Sequence, residues 1–286
     1  MPLSSSLHGR TALVTGATSG LGLATARALA HHGAHVLLAA RTVERGDTAV
    51  AHIREANPDA QLTVVAGDLS TLAGVRTLAQ AVVRAHPRLD VLVNNAGVVR
   101  AHRHETADGF EWTFAVNHLA PFLLTRLLLP TLGTRGRVVV VTSDAHRDVS
   151  LALDDLQSEQ AYDPLVAYRR SKLANILFAW TLARRAPDLS VFAVAPGIVA
   201  TDIVREAPGA LQAAWAARGK PAREAARTIV LAAGEASLAG TTMRYFSEGR
   251  EIAPSAESCD EALGDRLWDA SALLTGTPAS PVALTE

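Results

Sequence analysis

The sequence is poor in cysteine, methionine and aromatic residues: Cys259 stands alone, there are two methionines, and aromatics make up 5% of 286 residues. A lone cysteine forms no internal disulfide and no thiolate metal cluster, so the fold must rest on its apolar core. That usage fits a reducing compartment. Charge of one sign is not in excess either, with 27 Lys and Arg against 28 Asp and Glu and a formal net charge of −1. This balance argues against nucleic-acid or membrane-surface binding driven by overall electrostatics. Long hydrophobic runs are missing. The most apolar stretch, Ala120 to Leu132, is interrupted by Arg126 and Pro130 and falls short of the roughly 20 residues a membrane span needs. The N-terminal MPLSSSLHGR has no cationic segment followed by an apolar one, so no secretion signal is read there. The expectation is a cytoplasmic protein with no membrane and no nucleic acid among its partners.

What is present is apolar: 49% of residues are hydrophobic and 19% charged, a composition that builds an extensive core. Short β-branched runs alternate with longer helical stretches. Strands are expected at 11–15, 35–40, 62–67, 90–95, 137–143, 190–195 and 242–246. An Ala-rich helix runs from about Leu21 to His32, with Gly33 as its C-terminal cap. Continuously apolar strands are those of a parallel sheet covered by helices on both faces. The fold expected is therefore α/β, a doubly wound parallel sheet of about seven strands (Rossmann-type). No charge block or Pro/Gly/Ser-rich linker divides the chain, so residues 1–286 are expected to form one domain. Within it, about 9–200 would be the cofactor-binding and catalytic core. About 201–275 would hold a substrate-covering segment and the last strand, and about 276–286 a frayed tail.

In an open α/β sheet, ligands bind beyond the carboxyl ends of the strands, and the informative residues fall there. Thr15-Gly16-Ala17-Thr18-Ser19-Gly20-Leu21-Gly22 follows the first strand. Its glycines permit a tight turn and close approach of a pyrophosphate, and the next helix offers unpaired N–H groups. The second strand ends in Arg41, and no Asp or Glu lies between Leu23 and Val43. A carboxylate there would bond a ribose 2′-hydroxyl, whereas a guanidinium suits a 2′-phosphate. NADP(H) is therefore expected over NAD(H). Asp68 ends the third strand and Asn94-Asn95-Ala96-Gly97 the fourth, positions that suit an adenine edge and a cofactor lying on backbone, although ordinary turn chemistry explains them equally. Past Ser143 at the end of the fifth strand come Tyr168 and Lys172, four apart and on one helix face. A phenol of pKa about 10 is a poor base near neutrality, and an adjacent ammonium would move it towards working pH.

Together these residues resemble the short-chain dehydrogenase/reductase family. The resemblance extends from about residue 9 to 250 and rests on TGATSGLG (15–22), NNAG (94–97), Asn117 in FAVNH, Ser143, Tyr168-x-x-x-Lys172 and Pro196-Gly197 followed by Thr201. The stretches 142–146 and 155–178 look closest to the retinol dehydrogenase-like branch, whose members often carry an N-terminal membrane anchor. This chain begins a few residues before its first strand, so the expectation is of no anchor and of substrates other than retinoids or membrane lipids. The resemblance implies Tyr168 as the acid/base and Lys172 as the residue that holds the nicotinamide ribose and lowers the Tyr168 pKa. Ser143 would bond the substrate oxygen, and Asn117 would position a water for a proton relay. It also implies pyrophosphate contacts from Gly16, Ser19, Gly20 and Leu21, and adenine contacts from Asp68 and Leu69. Asn95, Ala96 and Gly97 would meet the adenine-side ribose, and Pro196, Gly197, Val199 and Thr201 the nicotinamide amide.

His102 and His104 flank Arg103 with no third ligand in view, so no metal site is read. His146, Ile203 and Trp215 are candidate substrate contacts. The last two lie in a segment, 202–222, with Pro208-Gly209 ahead of an apolar stretch. The function expected is hydride transfer between NADP(H) and a carbonyl or alcohol group of a fairly large apolar small molecule. The alternatives are epimerisation or dehydration with retained cofactor, and non-catalytic NADP(H) binding. Family members are often dimers or tetramers, so a homo-oligomer stays open beside a monomer.

Overall fold

The computed structural model describes residues 3–4, 6–133, 135–206 and 209–280. β1 (Thr11–Thr15) turns into α1 (Gly20–His31), and the alternation continues with β2 (His35–Ala40), α2 (Val43–Arg54), β3 (Leu62–Ala66) and α3 (Leu72–Ala85). β4 (Val91–Asn94) is followed by a long loop and one helical turn, α4 (Trp112–Phe114). A π-helical stretch, Ala115–Leu119, joins α4 to α5 (Ala120–Leu132). Then come β5 (Arg137–Val141), α6 (Pro164–Arg185), β6 (Ser190–Ala195), α7 (Gly209–Arg218), α8 (Ala222–Gly234), β7 (Arg244–Ser247), β8 (Arg250–Glu251) and α9 (Glu261–Thr275).

Among the described residues the strands form one eight-stranded sheet in the order β3-β2-β1-β4-β5-β6-β7-β8, parallel except for β8. The doubly wound α/β architecture is the one the alternation of runs implies. The additional strand is a two-residue antiparallel return after the turn at Glu248-Gly249, too short to leave an apolar run in the sequence.

Alternation of side chains across each strand builds two cores. Leu13, Val138, Val140, Val191 and Ala193 point into the layer under α3, α5, α6 and α9. Their neighbours Ala12, Val14, Val139, Val141, Phe192 and Val194 point into the layer under α1 and α8. Both faces being covered explains why these strands read as unbroken apolar runs.

Local chemistry sets the helix starts. Thr42 and Thr71 cap α2 and α3 by accepting from Arg45 N and Gly74 N. Asp163 caps α6 by accepting from Leu165 N and Val166 N, with Pro164 in the first turn. Tyr168 therefore sits in the second turn of α6. The tail differs from the frayed end expected from about Gly276. The Trp268 indole donates to Ala279 O at 2.8 Å and Arg126 to Ser280 O at 2.7 Å, which pins residues 277–280. Residues 281–286 lie outside the described residues, as does Pro208. Among the described residues, no helix is long and apolar enough to cross a membrane.

Candidate active site

The sheet order reverses between β1 and β4, and a cleft of about 250 Å³ opens beyond the carboxyl ends of these strands. Its floor is made by two turns locked together. Thr15 Oγ1 accepts from the N–H groups of Asn95 (2.9 Å) and Ala96 (3.0 Å), and Asn95 Nδ2 donates to Thr15 O (2.8 Å). Gly16 takes a positive φ of 64°, and a Cβ on Gly22 would lie 2.2 Å from Gly16 O. Side chains there would push the turn into the space a pyrophosphate needs. Ser19 makes no side-chain capping bond at the start of α1, and the first turn holds no acid. Its leading N–H groups and positive dipole end therefore face the cleft without an internal anion, which fits the phosphates of a dinucleotide.

At one end of the cleft, Arg41 and Arg45 stand beside Asp68. The Arg41 guanidinium is 3.8 Å from Asp68 Oδ1, and Asp68 Oδ1 also accepts from Ser70 N (2.9 Å) and Ser70 Oγ (2.8 Å). Arg45 was not singled out in the sequence. Its place in the first turn of α2, three residues after the Thr42 cap and directly beyond the end of β2, is a signal that could have found it.

At the other end are Ser143, Tyr168 and Lys172. Ser143 ends the turn after β5, where its Oγ accepts from Ala145 N (3.2 Å), and its hydroxyl favours the ionised form of the nearby Tyr168 phenol. Lys172 is 2% exposed; its Nζ donates to Val141 O at 3.1 Å and lies 5.5 Å from the Tyr168 ring centre. Burial dominates the titration of both groups. It pushes Tyr168 up to about 12, with the Ser143 hydroxyl opposing it, and pulls Lys172 down to about 8. Here the structure departs from the sequence argument, which had Lys172 lowering the phenol. At that separation the desolvation of the phenolate outweighs the ammonium's attraction.

Asn117 lies behind the cleft wall and is fully buried. Its Nδ2 donates to Val98 O and Ser171 Oγ, both at 3.0 Å, while Oδ1 accepts from Val98 N at 2.8 Å. Its amide thus ties the Val98 backbone to Ser171 on α6, so the side chain shapes the wall. The π-helical turn that carries it starts from α4, which Glu111 caps by accepting from Thr113 N and Phe114 N.

The remaining wall is apolar. Val99, Tyr168 and Val204 form a small cluster with Ile203 and Trp215. Trp215 Nε1 donates to Val199 O at 3.1 Å, which ties α7 to the loop after β6. Trp112 and Val116 also line the cleft, and Arg100 meets Glu206 across it. None of these four was picked out in the sequence, because they come from segments that only the fold brings together.

Every residue expected to touch cofactor lines this cleft, as do Ser143, Ile203 and Trp215. His146 does not, contrary to the expectation that it meets substrate. It is fully buried, with Nδ1 bonded to Ser143 O at 2.7 Å and Nε2 accepting from Ser255 N at 3.0 Å. Both ring nitrogens are used, and burial lowers its pKa. The imidazole braces the backbone of Ser143 from behind.

The fold and cleft define a dinucleotide-binding α/β protein with a serine, tyrosine and lysine at the site where a substrate would react. Comparison with known proteins gives the family. The family model for short chain dehydrogenase matches residues 10–211. Retinol dehydrogenase 14 from Mus musculus is 40% identical over 291 residues, covering 94% of this chain and 87% of the relative. The solved structure of an uncharacterized protein from Mycobacterium Paratuberculosis superposes with a TM-score of 0.77 at 33% identity, covering 97% of each chain. The Pseudomonas aeruginosa RhlG/NADP active-site complex superposes at 0.67 with 28% identity, covering 88% of this chain and 98% of that one. The chain belongs to the short chain dehydrogenase family, in its retinol dehydrogenase-like branch.

Proposed function

We propose that the chain is an NADP(H)-dependent oxidoreductase that moves hydride between the nicotinamide and a carbonyl or alcohol group on a fairly large apolar substrate. The observation that carries this reading is the placement of Ser143, Tyr168 and buried Lys172 together in one cleft with Arg41 and Arg45. Gly16, Ser19, Gly20 and Leu21 would hold the pyrophosphate, and Asp68, Leu69 and Asn95 to Gly97 the adenosine half. Pro196 to Val199 and Thr201 would meet the nicotinamide amide. Two guanidiniums at the ribose end favour a 2′-phosphate over a free hydroxyl, and the NADP complex of the Pseudomonas aeruginosa relative supports the same choice. The bound nicotinamide would supply the hydride chemistry.

The chain's own groups handle the oxygen and its proton. With its pKa at about 12, Tyr168 stays protonated at neutral pH in the free protein and donates its proton to a carbonyl oxygen as negative charge develops there. Ser143 donates a second hydrogen bond to the same oxygen. Lys172, still charged below pH about 8, stabilises the phenolate that proton transfer leaves behind. Alcohol oxidation runs the same proton path in reverse. Val99, Ile203, Val204 and Trp215 offer the substrate an apolar wall. The relatives' name puts retinol among the alcohols to assay.

Tyr168→Phe tests the assignment. NADPH affinity, read by nicotinamide fluorescence, is expected to stay within a few-fold while turnover of aldehydes and bulky ketones collapses. Retained turnover would move the acid to another residue.

A further inference from the structure

At the substrate end of the cleft an arginine and a glutamate from opposite walls meet, Arg100 and Glu206. Arg100 stands on the loop after β4 and Glu206 on the segment after β6, and Arg100 Nη1 donates to both Glu206 carboxylate oxygens, at 2.6 and 2.5 Å. The two side chains are 22% and 37% exposed. Arg100 is built into its wall. Its guanidinium lies 4.3 Å from the Trp112 ring centre, and its carbonyl accepts from the Tyr162 hydroxyl at 2.9 Å. Its Nε is buried with no hydrogen-bond partner. Glu206 sits on a segment tied back within its own wall, through Gln212 Nε2 to Arg205 O and Trp215 Nε1 to Val199 O. Arg205, more exposed, lies with its Nε 3.9 Å from Glu206 Oε1, and the pair is otherwise set among Val99, Val116, Ile203 and Trp215.

We propose that this pair is a specificity determinant. With Glu206 in place, the Arg100 charge is neutralised and the cleft accepts uncharged apolar carbonyl compounds and alcohols. A substrate bearing a carboxylate at this end must displace an intramolecular carboxylate already at hydrogen-bonding distance, or lie beside it and meet like-charge repulsion. Without Glu206, the planar guanidinium held on Trp112 becomes a pre-organised site for that carboxylate. The substrate class rests on the function proposed above, so the test includes a measurement that needs no turnover.

Two non-reacting probes of nearly equal shape, 4-phenylbutyrate and 4-phenylbutanamide, are titrated against the quench of tryptophan fluorescence, to which Trp112 and Trp215 in the cleft contribute. Glu206→Gln is expected to bind the carboxylate about tenfold tighter than the parent, the worth of one charge-assisted hydrogen bond, with the amide changed by less than about twofold. Arg100→Gln combined with Glu206→Gln should return the carboxylate to the parent's weak binding. Glu206→Ala serves as a second single variant if the first misfolds. In turnover with NADPH, Glu206→Gln should raise kcat/KM for 4-formylbenzoate about tenfold relative to 4-methylbenzaldehyde. Unchanged carboxylate binding in both single variants, or a gain that survives loss of Arg100, overturns the proposal. The expected binding pattern in a protein that reduces neither aldehyde would uphold the pair's role and reject the reductase reading instead.

Discussion

Lys172 offers the sharpest test of how burial and chemistry compete in this site. Its ammonium is almost wholly buried, makes one bond to Val141 O at 3.1 Å, and titrates at about 8 instead of 10.5. At about 1.4 kcal/mol for each tenfold change in proton affinity, that displacement withholds about 3 kcal/mol of folding free energy. Below pH 8 both the folded and unfolded chains hold the proton, and the folded chain bears the full cost. Between 8 and 10.5 the folded chain releases its proton first and the cost shrinks; above 10.5 it is gone. Lys172→Met keeps the length of the side chain, removes the charge, and loses a hydrogen bond worth about 1 kcal/mol. Without added nucleotide the variant should be about 2 kcal/mol more stable than the parent at pH 7. That advantage should disappear by pH 10, and catalysis should be lost at both. Urea unfolding followed by circular dichroism at the two pH values measures it. A variant less stable than the parent at pH 7, or an advantage that persists to pH 10, would refute the claim that burial of the charge sets this pKa.

Arg41→Asp places a second carboxylate beside Asp68 where a guanidinium stood and should weaken NADPH binding at least about tenfold more than NADH binding. Equal weakening, read by nucleotide titration, would remove the 2′-phosphate argument. His118 is fully buried, with Nε2 2.9 Å from Ser271 Oγ, and burial holds its pKa at about 4 against 6.5. Its contribution to stability is complete above pH 6.5 and should fall by about 3 kcal/mol as the pH drops to 4. His118→Asn should lack that part of the slope in acid-dependent urea unfolding, and an unchanged slope would place the proton uptake elsewhere. His146→Ala strands Ser255 N–H and removes the side-chain bond to Ser143 O, leaving only the backbone one. It should cost about 2–4 kcal/mol of stability and lower kcat more than it raises KM. A raised KM with unchanged stability would restore a direct substrate contact.

Much of the fold was legible because its signals are local. Unbroken runs such as RVVVV and SVFAVA, each followed by glycine or a polar turn, mark buried parallel strands whatever surrounds them. The Gly16–Gly22 turn and Arg41, which line one cleft, were legible for the same reason: they act through backbone geometry and charge within a few residues of a strand end. The start of α6 was also written locally, in the cap and proline of Asp163-Pro164.

Tertiary structure decided what depends on burial and on distant segments meeting. His146 looks in sequence like a neighbour of Ser143 free to face a ligand. The approach of Ser255 from beyond β8 turns it inward and uses both its nitrogens. Arg100 and Glu206 are separated by two helix–strand units, α5–β5 and α6–β6, and become a pair only because β4 and β6 end on the same side of one sheet. The spacing of Tyr168 and Lys172 fixes that they share a helix face. The sign of their pKa displacements follows from desolvation, which every surrounding segment contributes to and no single stretch of sequence encodes. Amino-acid order alone determined the strand ends and the residues they carry, since propensity, turn geometry and periodicity act over a few bonds. The dielectric around those residues, and the wall that faces them, came only with the packed molecule.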